Sequence, residues 1–255
     1  MSEYIESRRE GHVLVLRIAR PDKKNALTVD MYDALADGLA EARENLDIRA
    51  VVLLGSEGTF CAGNDIQDFL SRPPRGDDAP VNRFLVELAR ATVPIVAGVD
   101  GNAVGIGTTM LLHCDIVLVT ARARLRLPFV GLGIVPEAGS TLLLPKIMGH
   151  ARAAELLLLG DAFDGARAVE LGIANHVVSP ETLEADVMDL AGRLASQPPS
   201  AMRETKRLLK GDMGELEAVI AEEVRIFSAQ LHSAEAREAF TAFMEKRKPD
   251  FSNLA

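Results

Sequence analysis

Cysteine is scarce in this sequence. The 2 that occur in 255 residues, Cys61 and Cys114, form neither a CxxC pair nor a Cys/His ligand spacing. That argues against a disulfide scaffold or structural zinc and suits a reducing compartment. The 5 histidines (His12, His113, His150, His176 and His232) are scattered, so the pattern supports no metal site and no Ser-His-Asp arrangement. No apolar run approaches the ~20 residues needed to span a bilayer. The opening MSEYIESRREGH has no signal-peptide core, and the ending FSNLA is not a peroxisomal SKL tail. Positive charge is also short. With 28 Lys+Arg against 37 Asp+Glu the net charge is −9, which repels polyanions, so neither nucleic acid nor an anionic membrane is an expected partner. What is present, 48% hydrophobic and 25% charged residues, is the composition of a globular core rather than of a disordered chain. Together these features predict a soluble cytoplasmic enzyme.

Strand-like and helix-like patterns alternate up to about residue 175. Val13–Ile18 is a β-branched-rich run stopped by Arg20-Pro21-Asp22. Thr28 is placed to cap a helix running to about Asn45, with Met31, Leu35, Leu39 and Ala42 on one face. Arg49–Leu54, Ile95–Val99 and Asp115–Val119 are continuous apolar runs, as expected of strands covered on both faces. Short strands are also expected at 125–127 and 174–178, and helices at 81–92, 108–113, 140–148, 151–159 and 165–171. The stretch SRPPRGDDAP (71–80) combines proline, glycine and charge and predicts a mobile surface segment. The chain therefore divides into an α/β region over 1–180 and a helical region over 181–255. The latter either covers the core or mediates subunit contact. No strict repeat of 20–50 residues is visible.

Three segments carry candidate chemistry. Two glycine-bearing turns, FCAGND (60–65) and GNAVGIG (101–107), each follow a buried strand. Unpaired N–H groups at such turns are able to hold an oxyanion; equally, the glycines simply permit tight turns. The second turn has Met110 where a G-x-G-x-x-G motif needs its last glycine, and no Gly-Lys-Ser/Thr element follows, so dinucleotide and P-loop readings are weak. The third segment, GLGIVPEAGS (131–140), places Glu137 before a helix. There it is either a solvated first-turn acid or a general base facing an apolar pocket.

The strings RPDKKNAL (20–27), FCAGNDIQDF (60–69), GNAVGIGTTMLLHCDIV (101–117) and GLGIVPEAGSTLLLPKIMG (131–149) occur in an order that resembles the crotonase (enoyl-CoA hydratase/isomerase) superfamily. PEAGSTLLLPKIM and GND look most like the peroxisome-type Δ3,Δ2-enoyl-CoA isomerases. The resemblance implies a spiral of ββα repeats followed by a helical trimerisation region, and a homotrimer or dimer of trimers. It implies an acyl-CoA thioester as substrate, with coenzyme A as part of that substrate and no other cofactor or metal. By position, the thioester oxygen would lie between the backbone N–H groups of Asn64 and Ile106. The CoA moiety would contact Lys23, Lys24, Ala26, Ala62, Asp65 and Ile66, although the two lysines also fit a plain solvated turn.

In this family hydratases use two glutamates, and those positions fall here on Thr109 and Phe129. Neither side chain serves as a carboxylate base. Glu137 stands where the isomerases carry their single glutamate, with Thr109, Phe129 and Leu132 expected at the acyl pocket. The expected activity is thus a shift of a 3-enoyl-CoA double bond to the 2-position. A hydratase, a thioester hydrolase or a non-catalytic acyl-CoA binder are the alternatives.

Overall fold

Alternation within the apolar strands builds this architecture. In the computed structural model, which describes residues 2–72 and 79–254, nine strands form two sheets. The strands are β1 (Ile5–Glu10), β2 (Val13–Ile18), β3 (Ala50–Leu54), β4 (Ile95–Val99), β5 (Asn102–Val104), β6 (Ile116–Thr120), β7 (Arg124–Arg126), β8 (Phe163–Asp164) and β9 (His176–Val178). The larger sheet has the order β1-β2-β3-β4-β6-β9 and is parallel except for the antiparallel edge strand β1. The smaller is β5-β7-β8.

Successive side chains in a strand point to opposite faces, and here both faces are covered. Leu14, Leu16, Val51, Leu53, Ile95, Ala97, Val117 and Val119 join the main core. Their neighbours Val13, Val15, Ala50, Val52, Leu54, Val96 and Leu118 form a second apolar layer. Helix α1 (Val29–Glu44) packs Met31, Leu35, Leu39 and Ala42 into the main core, and Thr28 caps it by accepting from the Met31 N–H. Next along the chain come α2 (Ile66–Ser71), α3 (Pro80–Arg90), α4 (Ile106–Thr109), α5 (Ser140–Met148), α6 (His150–Leu159) and α7 (Gly165–Glu170). The remaining helices are α8 (Leu183–Ala195), α9 (Pro199–Lys210), α10 (Met213–Gln230) and α11 (Ala234–Met244).

The ββα repeat is visible in space. β4 leads to β5 and then α4, and β6 leads to β7. Earlier turns of the spiral make the same step with single residues in the inner layer. Leu27 bridges Asn64, Cys61 bridges Ala103, and β5 pairs in parallel with β7. The mixed α/β crotonase-type architecture expected from sequence is therefore present.

Three details differ from the sequence expectations. β1 forms along a polar stretch; residues 102–104 are a strand within what reads as a glycine turn; and β8 was not anticipated. The helical region packs on the core. Leu183, Val187, Ala191 and Ala195 of α8 complete the second apolar layer, and α10 packs on α3 and α5. The segment expected to be mobile, 71–80, lies mostly outside the described residues. No helix of the described residues is long and apolar enough to cross a membrane.

Candidate active site

Two chain segments leave the inner layer side by side. From the parallel bridge Cys61–Ala103, three residues on each strand lead to Asn64 and Ile106. Cys61 and Val104 hold this register: the Cys61 N–H donates to the Asn102 carbonyl (2.9 Å) and the Val104 N–H to the Cys61 carbonyl (2.9 Å). Each segment then enters a helix, α2 capped by Asp65 and α4 after Gly105. Neighbouring N–H groups are used: Asp65 donates to the Leu27 carbonyl, and Thr108 and Thr109 donate to that of Gly105. Neither the Asn64 N–H nor the Ile106 N–H has a hydrogen-bond acceptor among the described residues. The Ile106 N–H is a first-turn donor with no partner within its own helix, and the Asn64 N–H lies just ahead of the α2 cap, which leaves both available to a ligand oxygen. Gly105 lies at φ +55° and ψ −120°, a backbone shape that side-chain-bearing residues rarely adopt, and this turns Ile106 into position.

The Asn64 side chain is fixed from α1, where the Tyr32 hydroxyl donates to Asn64 Oδ1 at 2.6 Å. Burial, reinforced by the charge of Glu137, raises the Tyr32 phenol well above its ordinary range, so it acts as a neutral donor. The Tyr32 ring tilts against Phe84 with centroids 5.5 Å apart. Burial pushes the Cys61 thiol up to about 12, leaving it protonated and unreactive.

Glu137 is only 7% exposed and lines a cavity. The walls are Tyr32, Phe69, Val81, Leu85, Val224 and Phe227, with Asn64, Asn82 and Ser228 as the other polar groups. Phe69 and Phe227 meet edge to face at 5.9 Å. Thr109 Oγ1 donates to Glu137 Oε1 at 2.5 Å. Because Thr109 lies one turn after Ile106 on α4, the same short helix presents the unpaired Ile106 N–H and holds the carboxylate. Burial drives the Glu137 carboxyl up to about 8; the Thr109 bond opposes this and the charge of Glu223 adds to it. Behind Glu137, Ala138 and Gly139 lie at φ +62° and +70°. The Ser140 hydroxyl donates to the Glu137 carbonyl at 2.6 Å, and His113 Nε2 lies 2.7 Å from the Ala138 carbonyl. Burial pushes the His113 ring down to about 4, so it is neutral and donates from Nε2.

The remaining sequence-selected residues fall in two places. Lys23 and Lys24 are exposed on a turn beside the 60–65 loop, where the Ala62 N–H donates to the Lys24 carbonyl at 3.1 Å. Ala26, Ala62 and Ile66 are half-buried next to them. Asp65 is already committed: it caps α2 and accepts from Arg20 at 2.8 Å. Burial opposes its charge, but the Asp68 N–H and the Arg20 guanidinium outweigh burial and hold its carboxyl below the usual range.

Thr109, Phe129 and Leu132, expected at the acyl pocket, do not line the cavity. Thr109 is fully buried behind Glu137, while Phe129 and Leu132 pack into the main core at a 3-10 turn. Sequence reasoning missed Tyr32, Asn82 and the α3 and α10 walls. It also missed Glu223, a second buried acid in contact with the turn behind Glu137. One signal was available for Glu223: it sits on the apolar stripe of α10 with Leu216, Ile220 and Phe227.

A crotonase-type spiral with, among the described residues, two unpaired main-chain donors and one cavity carboxylate defines a class, and comparison with known proteins agrees with it. The sequence profile described as enoyl-CoA hydratase/isomerase matches residues 8–253. The 1,2-epoxyphenylacetyl-CoA isomerase of Escherichia coli K12 is 34% identical, with 99% of each chain covered. Enoyl-CoA delta isomerase 2 of Rattus norvegicus is also 34% identical, over 94% of this chain and 63% of its own length. The solved structure of Pseudomonas aeruginosa OdaA superposes with a TM-score of 0.92 at 49% identity, covering 95% of this chain and 99% of that one. Hydratase names occur among the relatives as well. The chain belongs to the enoyl-CoA hydratase/isomerase family.

Proposed function

We propose that the protein is an enoyl-CoA isomerase that moves the double bond of a 3-enoyl-CoA to the 2-position. The observation carrying this reading is that Glu137 is the one carboxylate among the described residues lining the cavity. A 1,3 shift needs one base. Ionised Glu137 takes a proton from carbon 2, and the resulting dienolate carries its charge on the thioester oxygen. The Asn64 and Ile106 N–H groups receive that oxygen, each contributing about 3–4 kcal/mol to the barrier by analogy with other oxyanion holes. Glu137, now neutral, returns the proton to carbon 4, so nothing is gained or lost overall. Burial of the carboxylate makes it a stronger base once ionised.

In this reading Lys23, Lys24, Ala26, Ala62 and Ile66 border the CoA moiety. Asp65 acts through its main chain and by holding Arg20. The delta isomerase and epoxyphenylacetyl-CoA isomerase names among the relatives favour isomerisation. We further propose a cytoplasmic homotrimer or dimer of trimers. The exposed Leu208 and Leu209 on α9 and Phe243 and Met244 on α11 support it, since such side chains gain by burial between copies.

Conversion of a 3-enoyl-CoA to its conjugated isomer, followed by absorbance, tests the reaction. The expected result is turnover that Glu137→Gln abolishes. Undiminished turnover in that variant refutes the proposal. Water addition to crotonyl-CoA, CoA release, or binding without product would each assign a different activity.

A further inference from the structure

The turn that aims Glu137 is held only in part by its own residues, through Ser140 on the Glu137 carbonyl. Ala138 and Gly139 both have positive φ, and α5 begins without a side-chain cap from its own N-cap residue. The cap comes from the other end of the chain. Glu223 on α10 accepts from the Gly139 N–H at 2.6 Å, the Thr141 N–H at 3.0 Å and the Thr141 hydroxyl at 2.6 Å. Glu223 is 5% exposed and has no ion-pair partner among the described residues. A buried carboxylate without a cation is costly unless donors surround it. Burial raises the Glu223 carboxyl above its ordinary range, opposed by the Thr141 and Gly139 donors that its two oxygens face at the positive end of a helix.

A Ser or Asp cap at Gly139 itself would meet a left-handed backbone and the Leu216 side chain, so the cap has to be drawn from elsewhere. Drawing the cap from α10 does something a local residue cannot. The same helix supplies Val224, Phe227 and Ser228 to the cavity wall. Leu216 and Ile220 of α10 lie over Gly139, where an added Cβ would come within 2.5 Å of Leu216 Cδ1.

We propose that Glu223 is a positioning residue for the acyl-CoA reaction: by pinning the Ala138–Gly139 turn from α10, it sets the aim of Glu137 and couples it to the wall facing the acyl group. The proposal rests on Glu137 being the base. The groups that bond Glu137 or interact with its charge are Thr109 from α4, Tyr32 from α1, Cys61 from the inner loop and Glu223 from α10, while uncharged Asn64, Asn82 and Ser228 share its cavity. Neutral His113 holds the next carbonyl. Thr109, Tyr32 and Cys61 are uncharged at neutral pH, so Glu223, when ionised, is the neighbour whose charge raises the Glu137 carboxyl.

The test uses the full chain and its Glu223→Gln variant, with folding checked by circular dichroism. Two quantities are read: kcat and KM on a 3-enoyl-CoA, and the titration of the Glu137 carboxyl by carbon-13 NMR, assigned through Glu137→Gln. Expected in Glu223→Gln are a kcat about tenfold lower, a KM changed less than about threefold, and a Glu137 midpoint lower by several tenths of a pH unit. An unchanged midpoint with unchanged kcat in a folded variant overturns the proposal. So does a loss seen only as a lower melting temperature. If Glu223→Gln does not fold, Thr141→Val removes one of the three bonds and should lower kcat about threefold at constant KM; an unchanged kcat is then the refuting result. If the wild type turns over no 3-enoyl-CoA while the Glu137 midpoint still moves in Glu223→Gln, the isomerase reading fails and the positioning role stands.

Discussion

Replacing Glu137 with glutamine should stabilise the protein, and increasingly so as pH rises. The folded-state pKa is about 8 and the ordinary value is 4.5. Below 4.5 the acid is neutral in both folded and unfolded chains, and its burial carries no charge penalty. Between these values the unfolded chain releases the proton while the native state keeps it. The unfolded state then binds fewer protons, so stability falls with pH, at up to about 1.4 kcal/mol per unit. Above about 8 the loss levels off. The group has a raised folded pKa, so its contribution is intact at low pH and is lost as pH climbs through the folded value. From pH 5 to pH 9 the integrated loss is about 4 kcal/mol. Since Glu137 is 7% exposed, solvent screening reduces this little. Glutamine has similar shape, still accepts the Thr109 hydroxyl, and does not titrate. Urea unfolding of both proteins across that range should show the variant's advantage widening by about 4 kcal/mol, or about 10 °C in melting temperature for a chain of this size. A gap that stays constant, or narrows toward high pH, would refute the claim that desolvation dominates at this site.

Three further outcomes follow from the same geometry. In the proposed reaction only ionised Glu137 abstracts a proton, so kcat/KM for a 3-enoyl-CoA should rise about tenfold per pH unit and level off near about 8; a flat profile from pH 6 to pH 9 counts against Glu137 as the base. Tyr32→Phe keeps the ring against Phe84 but leaves Asn64 Oδ1 without its donor. A stability loss of about 1–3 kcal/mol and a several-fold lower kcat are expected, and an unchanged kcat would show that the Asn64 N–H is aimed without Tyr32. In Gly105→Ala the new Cβ meets nothing within 4 Å, so the entire penalty is backbone strain at φ +55°. That penalty should be about 1–3 kcal/mol in melting experiments. Turnover should fall further than stability explains, because the Ile106 N–H is redirected; an active variant with full kcat contradicts the oxyanion role of Ile106.

The elements most legible in the sequence are those whose side chains alone determine them. Ile95–Val99 is apolar on both faces, Val13–Ile18 is so except for Arg17, and Ser140–Met148 follows a glycine at a left-handed turn; all three form with the expected bounds. β1 was not legible because Ile5 is its only buried residue; its strand character comes from main-chain pairing with β2. The three residues of β5 likewise become a strand only by pairing with Arg124–Arg126. The spiral repeat escapes a periodicity search because its early inner-layer steps are single residues such as Leu27 and Cys61, joined by isolated bridges. The candidate site divides in the same way. Asn64, Ile106 and Glu137 each sit in a compact local motif, so the sequence displays them. The groups that hold them are remote: Tyr32 reaches Asn64 across 32 positions, Thr109 reaches Glu137 across 28, and Glu223 reaches Gly139 across 84. Glu222 beside Glu223 shows the difficulty. It is exposed and paired with Arg225, while its neighbour is buried at a helix N-terminus. Only the rotation of α10 against α5 decides which of the two adjacent acids reaches the turn behind Glu137. Substitutions that rotate or shift α10 should therefore alter turnover even when they touch none of the residues in the crotonase motifs.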